Sequence, residues 1–236
     1  SLGGARPKAN VIDDDGFMKV AKFPSRNDAG DVGLWEHWAH QMAGKAGLNV
    51  AETRTVKVGS QYSTLLSRRF DRTDDGKRIH YASALTMLGM TDGDGAQTGK
   101  GYLDIVDFII RGCTDVEANL RELYRRVVFN ICIGNTDDHF RNHGFLLTPH
   151  GWTLSPAFDL NPTLSEYQGL MLSRNTNRSD LNELLQTSED YFIHHSEAES
   201  IIRGVTDALK GWQTTAKRLG LPERDISLFA RRFITE

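Results

Sequence analysis

The stretch from Leu120 to Ile133 leaves this chain the fewest choices. Leu120, Leu123, Tyr124, Val127, Val128 and Ile131 recur at helical period, so one side of a helix is apolar and has to be buried. Gly134 ends the period, and glycine suits the left-handed residue that closes a helix. The polar run "NTDDHFRNHG" follows at once, and then the apolar "FLL". A central buried helix therefore delivers Asp137, Asp138, His139, Asn142 and His143 to one end of the core.

The flanking text is of two kinds. Before Tyr81 it is rich in glycine and short strands. Phe17–Phe23 reads as a strand in which Met18, Val20 and Lys22 share a face. "GLWEHWAHQMAGKAGL" has the spacing of a helix capped by Gly47. Two more strands are expected around a turn at Gly59 and Ser60, and Asp75-Gly76 marks another turn. After Tyr81 comes the glycine-rich loop "GMTDGDGAQTGKG", and then mainly helix. Thr114 with Glu117 has the pattern of a capping box opening the central helix. Residues from His143 to Pro162 read as a hairpin with its turn near Pro149–Gly151. The last part gives two or three helices, one opened by a capping box of Ser196 and Glu199 and carrying Ile201, Ile202, Val205, Leu209 and Trp212.

The expected fold class is α+β, with a small mixed α/β part over 1–80 and a larger, mostly α-helical part over 81–236. At 236 residues this fits one two-part unit better than two full domains. A net charge of −3 gives no whole-chain footprint for nucleic acid or a membrane surface, and Arg68, Arg69 and Arg72 read as solvated or paired. Cys113 and Cys132 form no Cys-x-x-Cys motif and read as buried small hydrophobes, pointing to a reduced, cytoplasmic setting. No apolar run is long enough for a membrane span and no signal-peptide pattern opens the chain. It begins at Ser1, without Met, in a glycine-rich stretch, and so reads as a piece of a longer protein.

Two chemistries compete for the central motif. His139 and His143 stand four apart, as zinc ligands on a helix would, but glycines bracket the run and no third ligand stands out. Asp137 and Asn142 have the Asp-x-x-x-x-Asn spacing of a protein-kinase catalytic loop, where the carboxylate accepts the acceptor hydroxyl's proton and the amide oxygen holds Mg²⁺. Such a site needs a second metal-binding carboxylate, and Asp159 in "SPAFDLNP" is placed to provide it. It needs a cation on the phosphates, which Lys22 at a strand end can supply, with Glu36 as a candidate partner. It also needs a glycine loop with exposed N–H groups, and Ser1–Ala9, "SLGGARPKA", is one. Asp138 reads as a loop-stabilising group, and His139 as a residue orienting the loop through a hydrogen bond beside the nucleotide. The pair Trp35 and Trp38 reads as core.

Taken together, "SLGGARPKA", "KVAKFPS", "RRFDR", "GNTDDHFRNHGFLL" and "SPAFDLNP" resemble the HipA family of bacterial serine/threonine kinases, toxins of toxin–antitoxin systems with a two-lobed, protein-kinase-like fold. The resemblance implies Mg-ATP-dependent transfer of the γ-phosphate to a protein hydroxyl. Asp137 would be the catalytic base, and Asn142 and Asp159 the Mg²⁺ ligands. Lys22, Lys8 and the loop residues Gly3, Gly4 and Ala5 would lie on the ATP phosphates. Arg68 and Phe70 would form the hinge that holds adenine, and Ser1 matches the family's autophosphorylated loop serine. The family's N-terminal subdomain, which should precede the glycine loop, is not in this sequence. Arg68 stands where the best-known member is acidic, and Arg6-Pro7 differs from that member's loop. Family targets include aminoacyl-tRNA synthetases, and a helix-turn-helix antitoxin is the usual partner. A nucleotide-binding pseudokinase or partner-binding module, and a small-molecule kinase, share the same motif logic.

Overall fold

The computed structural model describes residues 6–235. The first four strands, β1 (Lys8–Ile12), β2 (Met18–Lys22), β3 (Thr53–Val56) and β4 (Thr64–Arg68), form one antiparallel sheet in the order β1-β2-β4-β3. Helix α1 (Val32–Lys45) lies between β2 and β3 in sequence and packs on β3 and β4. Its start is fixed by Asp31, whose carboxylate accepts from the Leu34 N–H at 3.1 Å and from both the N–H and the hydroxyl of Ser63. Gly33 has to be glycine, because a Cβ there would sit 2.5 Å from the Ser63 carbonyl oxygen.

The chain leaves this sheet at Arg68 and enters a second antiparallel sheet, order β5-β6-β7, made of β5 (His80–Ser83), β6 (Gly144–Thr148) and β7 (Gly151–Leu154). The helices α2 (Ala84–Met87), α3 (Tyr102–Gly112) and α4 (Val116–Ile133) stand between β5 and β6. The helices α5 (Leu181–Gln186), α6 (His195–Leu209), α7 (Trp212–Leu219) and α8 (Glu223–Phe229) complete the chain. As the periodicity requires, α4 is the central helix. Its six stripe residues are buried, and it packs on α3, α5 and α6. Gly134 ends it in the left-handed region at φ 66°, and the Asn135 N–H closes back on the Asn130 carbonyl at 2.8 Å. One hydrophobic core runs from Trp35 and Trp38 of α1 through α4 to Val205 and Trp212. Burying each large side chain in it contributes roughly 1.5–3 kcal/mol. No helix among the described residues is long and apolar enough to cross a membrane.

Both expected capping boxes are corrected by the structure. The Thr114 hydroxyl donates to the Trp152 carbonyl at 3.2 Å instead of capping α4, whose N-cap is Asp115 at φ 47°. Ser196 lies inside α6, which begins at His195, and Glu199 faces His195 at 3.6 Å. In each case a Ser/Thr-x-x-Glu pattern recurs in sequence, but where the chain turns into the helix is set by the neighbouring elements it must reach.

Candidate active site

The site is built where β2, α1 and the two loops that follow α4 and β7 converge. Lys22, the last residue of β2, points its ammonium between two carboxylates: Glu36 Oε1 of α1 at 2.5 Å and Asp159 Oδ1 at 2.8 Å. Burial alone would pull the lysine's pKa down, but the charges of Glu36 and Asp159 more than offset it and hold it above the usual range. Glu36 is itself pushed up by burial, which Lys22 only partly counters. At Asp159 burial pushes up as well, but there Lys22 wins and the carboxyl lies below its ordinary range. Asp159 adopts φ 59°, a left-handed conformation that Asp tolerates better than most residues but that still costs on the order of 1 kcal/mol.

A chain of hydrogen bonds runs from Asp159 to the polar loop after α4. Asn161 donates from Nδ2 to Asp159 Oδ1 at 3.0 Å, and from its backbone N–H to Asn135 Oδ1 at 3.2 Å. Asn135 donates to Asn130 Oδ1 at 3.0 Å, and Asn130 donates to Asp138 Oδ2 at 2.9 Å. That same oxygen accepts from the Tyr102 hydroxyl and from His143 Nε2, each at 2.8 Å. Because a carboxylate oxygen only accepts, the proton on His143 Nε2 is assigned by its partner. Burial pushes the Asp138 carboxyl up, but the charge and hydrogen bond of His143, with that of Tyr102, outweigh it and hold it low. Asp138 is 2% exposed, so this cluster fixes the loop from inside.

With Asp138 turned inward, its neighbour Asp137 is turned out. Asp137 is exposed, and its carboxylate has no hydrogen-bond or ion-pair partner among the described residues. Asn142 folds back on it, donating from Nδ2 to the Asp137 carbonyl at 3.3 Å, which leaves the Asn142 amide oxygen as an acceptor. The loop is backed by Gly169, whose N–H donates to the Thr136 carbonyl at 2.9 Å. A Cβ on Gly169 would lie 2.6 Å from the Asp138 carbonyl oxygen. Among the described residues no group of three or more His, Cys, Asp or Glu side chains could hold a metal ion; of the two histidines four apart, His143 is buried with Nε2 on Asp138 while His139 is exposed. The candidate metal ligands expected from the sequence, Asp159 and Asn142, would offer oxygens, from one carboxylate and one amide. That set suits Mg²⁺ completed by phosphate and water oxygens rather than a closed protein cage.

Residues 1–213 match the model of the HipA-like C-terminal domain. The chain belongs to this family. It is 29% identical over 184 residues to the serine/threonine-protein kinase toxin HipA of Shewanella oneidensis, a match covering 68% of this chain and 42% of that protein. It superposes on a chain of the Shewanella oneidensis toxin–antitoxin complex of HipA, HipB and operator DNA with a TM-score of 0.79 at 19% identity, covering 98% of this chain and 62% of that one. A Helicobacter pylori proinflammatory kinase, CtkA, superposes with a TM-score of 0.57 at 15% identity, covering 92% and 93%. At these identities the structural likeness establishes the fold: a mixed α/β architecture whose neighbours are kinases. The chain spans less than half the length of the HipA toxin that it matches.

In this HipA-like domain the sequence-expected residues fall as follows. Lys22 meets Asp159 directly, and Asp137 and Asn142 share the loop tied to Asp159. Lys8 opens β1 opposite Lys22 in register, a strand position rather than a loop one. Phe70 lies where the chain crosses between the sheets and packs on Phe158, beside Asp159, with ring centroids 5.5 Å apart. The Arg68 guanidinium lies 3.7 Å over the Phe17 ring and pairs with Glu52 and Asp74, and its backbone N–H donates to the Glu52 carbonyl at 2.8 Å, so neither the side chain nor the N–H is left for a ligand. The His139 ring is exposed and makes no hydrogen bond among the described residues; the ring that orients the loop is that of His143. Ser1, Gly3, Gly4 and Ala5 lie outside the described residues. Sequence reasoning missed Tyr102, Asn130, Asn135 and Asn161. Only Asn130 left a signal, as a polar residue inside the apolar end of α4.

Proposed function

We propose that this domain is a Mg-ATP-dependent serine/threonine protein kinase of HipA type. On this reading the first sheet and α1, within residues 1–80, are the small lobe and residues 81–236 the large one. The nucleotide lies between them, with adenine against the backbone near Arg68 and Phe70. The observation that carries the proposal is the bridging of Glu36 and Asp159 by Lys22, beside an outward-facing Asp137. One cation is held at the junction of three elements by two carboxylates, a placement that stability alone does not call for.

Lys22 would orient the ATP phosphates, helped by Lys8 and by the loop of Gly3, Gly4 and Ala5. Mg²⁺ held by Asn142 and Asp159 would neutralise the charge that develops on the transferring phosphoryl oxygens. Asp137 accepts the proton of a serine or threonine hydroxyl as its oxygen bonds to the γ-phosphorus and the bond to the β–γ bridging oxygen breaks, leaving ADP. His139 acts near the phosphates by its position rather than by a hydrogen bond. Ser1 is the expected site of autophosphorylation. The acceptor is a protein, with aminoacyl-tRNA synthetases as the first class to test. By likeness to the solved HipA–HipB assembly, the partner would be a helix-turn-helix antitoxin, in the cytoplasm.

Thermal unfolding with and without Mg-ATP tests binding, since a ligand at 100 times its Kd adds about 2.7 kcal/mol. The expected result is a Mg²⁺-dependent rise in Tm that Asp159→Ala abolishes. Asp137→Ala should keep the rise but lose transfer of labelled γ-phosphate by about a hundredfold or more. Full transfer by Asp137→Ala would overturn the base assignment.

A further inference from the structure

The family match ends at residue 213, yet the chain beyond it returns to the candidate site. After α8 the backbone turns at Ala230 and runs along the far end of α4, where the Ile234 N–H donates to the Cys132 carbonyl at 2.9 Å. Arg232 sits at the root of the catalytic loop. Its Nε donates to the Ser165 carbonyl at 2.9 Å and its Nη1 to the Ile131 carbonyl at 3.4 Å. Its side chain lies so close to Gly134 that a Cβ there would be 3.2 Å from Arg232 Cγ. The two acceptors belong to different pieces of the site. Ile131 is in the last turn of the helix that delivers Asp137, and Ser165 is in the segment that leaves Asp159.

The residues flanking Arg232 grip a third piece. Phe233 stacks on Trp38 with centroids 5.2 Å apart and an interplanar angle of 15°, and Phe229 meets Trp35 edge-on at 4.6 Å. Trp212 closes the cluster at 4.7 Å from Phe233. Trp35 and Trp38 flank Glu36 on α1, so the tail holds the helix that positions Lys22. A positive group at the end of α4 is also favourably placed against the helix dipole.

We infer that Arg232 is a positioning residue: through its two carbonyl contacts, and with Phe229 and Phe233 anchoring it to α1, it fixes the Asp159 segment against the Asp137 loop. Its effect on turnover rests on the kinase reading; its effect on order in the loops does not. The geometry separates it from a purely structural residue, because its contacts cross from the end of α4, where the Asp137 loop begins, to the segment that leaves Asp159. Loosening them displaces the reacting groups relative to one another while leaving the adenine side near Phe70 in place.

The test compares wild type with Arg232→Ala, Arg232→Lys and Arg231→Ala, the last an exposed neighbour outside the site. Amide hydrogen exchange is measured without ligand, and the time course of labelled γ-phosphate incorporation into the chain itself at varied Mg-ATP gives a maximal first-order rate constant and an ATP half-saturation concentration. In Arg232→Ala, exchange at 134–143 and 159–165 should rise about tenfold or more, the scale of a lost charged hydrogen bond, while Val205–Leu209 of α6 stays as in wild type. The maximal rate constant should fall on the order of tenfold with the ATP half-saturation concentration within about twofold. Arg232→Lys should recover part of both effects, and Arg231→Ala should match wild type. Unchanged exchange in the two loops overturns the inference, as does a rise that is equal in α6, which would make Arg232 a stability residue only. If wild type itself transfers no phosphate, the kinase reading has failed, and the exchange data alone decide the positioning role.

Discussion

Lys22→Met is the most informative single change, because methionine nearly keeps the volume of lysine and removes only the cation. In the wild type that cation lies 2.5 Å from Glu36 and 2.8 Å from Asp159, and the Glu36 side chain is 4% exposed. Asp159 is 31% exposed and can be partly solvated, so most of the penalty falls on Glu36. Removing one partner of a buried pair costs about 3–5 kcal/mol, since the remaining charge is left without compensation. The cost has a pH signature. Without Lys22 the Glu36 carboxyl, already raised by burial, rises further above its unfolded value. The folded variant then binds a proton before the unfolded chain does. Its stability therefore increases as pH falls through the folded pKa toward the unfolded one, by at most about 1.4 kcal/mol per pH unit for each group involved. In wild type Lys22 holds the Asp159 carboxyl down, a contribution to stability that is present above the unfolded value and is lost only as pH falls below about 4, so it does not change between pH 7 and 5. Urea unfolding at pH 7, 6 and 5 reads the difference, with the m-value checking that both proteins unfold alike. A gap of about 3–5 kcal/mol at pH 7 that narrows toward pH 5 is expected, and adding Glu36→Gln should restore part of it. A loss below about 1 kcal/mol, as for an exposed pair, or a gap that does not narrow, would refute the buried triad.

Other consequences follow from the same contacts. Tyr102→Phe removes one of three donors to the buried Asp138 oxygen and should cost about 1.5–3 kcal/mol in urea unfolding. Gly169→Ala forces a Cβ to within 2.6 Å of the Asp138 carbonyl oxygen, so the loop has to shift. A drop in Tm is expected with a larger fractional loss of phosphate transfer than of nucleotide affinity. Gly33→Ala meets the Ser63 carbonyl at 2.5 Å and should lower Tm by displacing the start of α1, without changing which residues face the nucleotide.

Residue spacing by itself determined the elements and the chemical parts. The stripe from Leu120 to Ile131 specifies a buried helix because apolar area has to leave water on one face, and Gly134 specifies its end because glycine enters the left-handed region at no steric cost. The Asp-x-x-x-x-Asn spacing named Asp137 and Asn142, and the tryptophans of α1 declared themselves core. What sequence could not decide was partnership. Lys22 and Asp159 are 137 residues apart, and only folding puts them 2.8 Å from each other. Two adjacent aspartates look alike on paper. The tertiary structure alone turns Asp138 inward onto Tyr102, Asn130 and His143 and so leaves Asp137 facing solvent. The capping boxes failed for the same reason that Arg232 was invisible: a polar side chain takes the partner that packing brings within about 3 Å, and that partner is often far away in the chain.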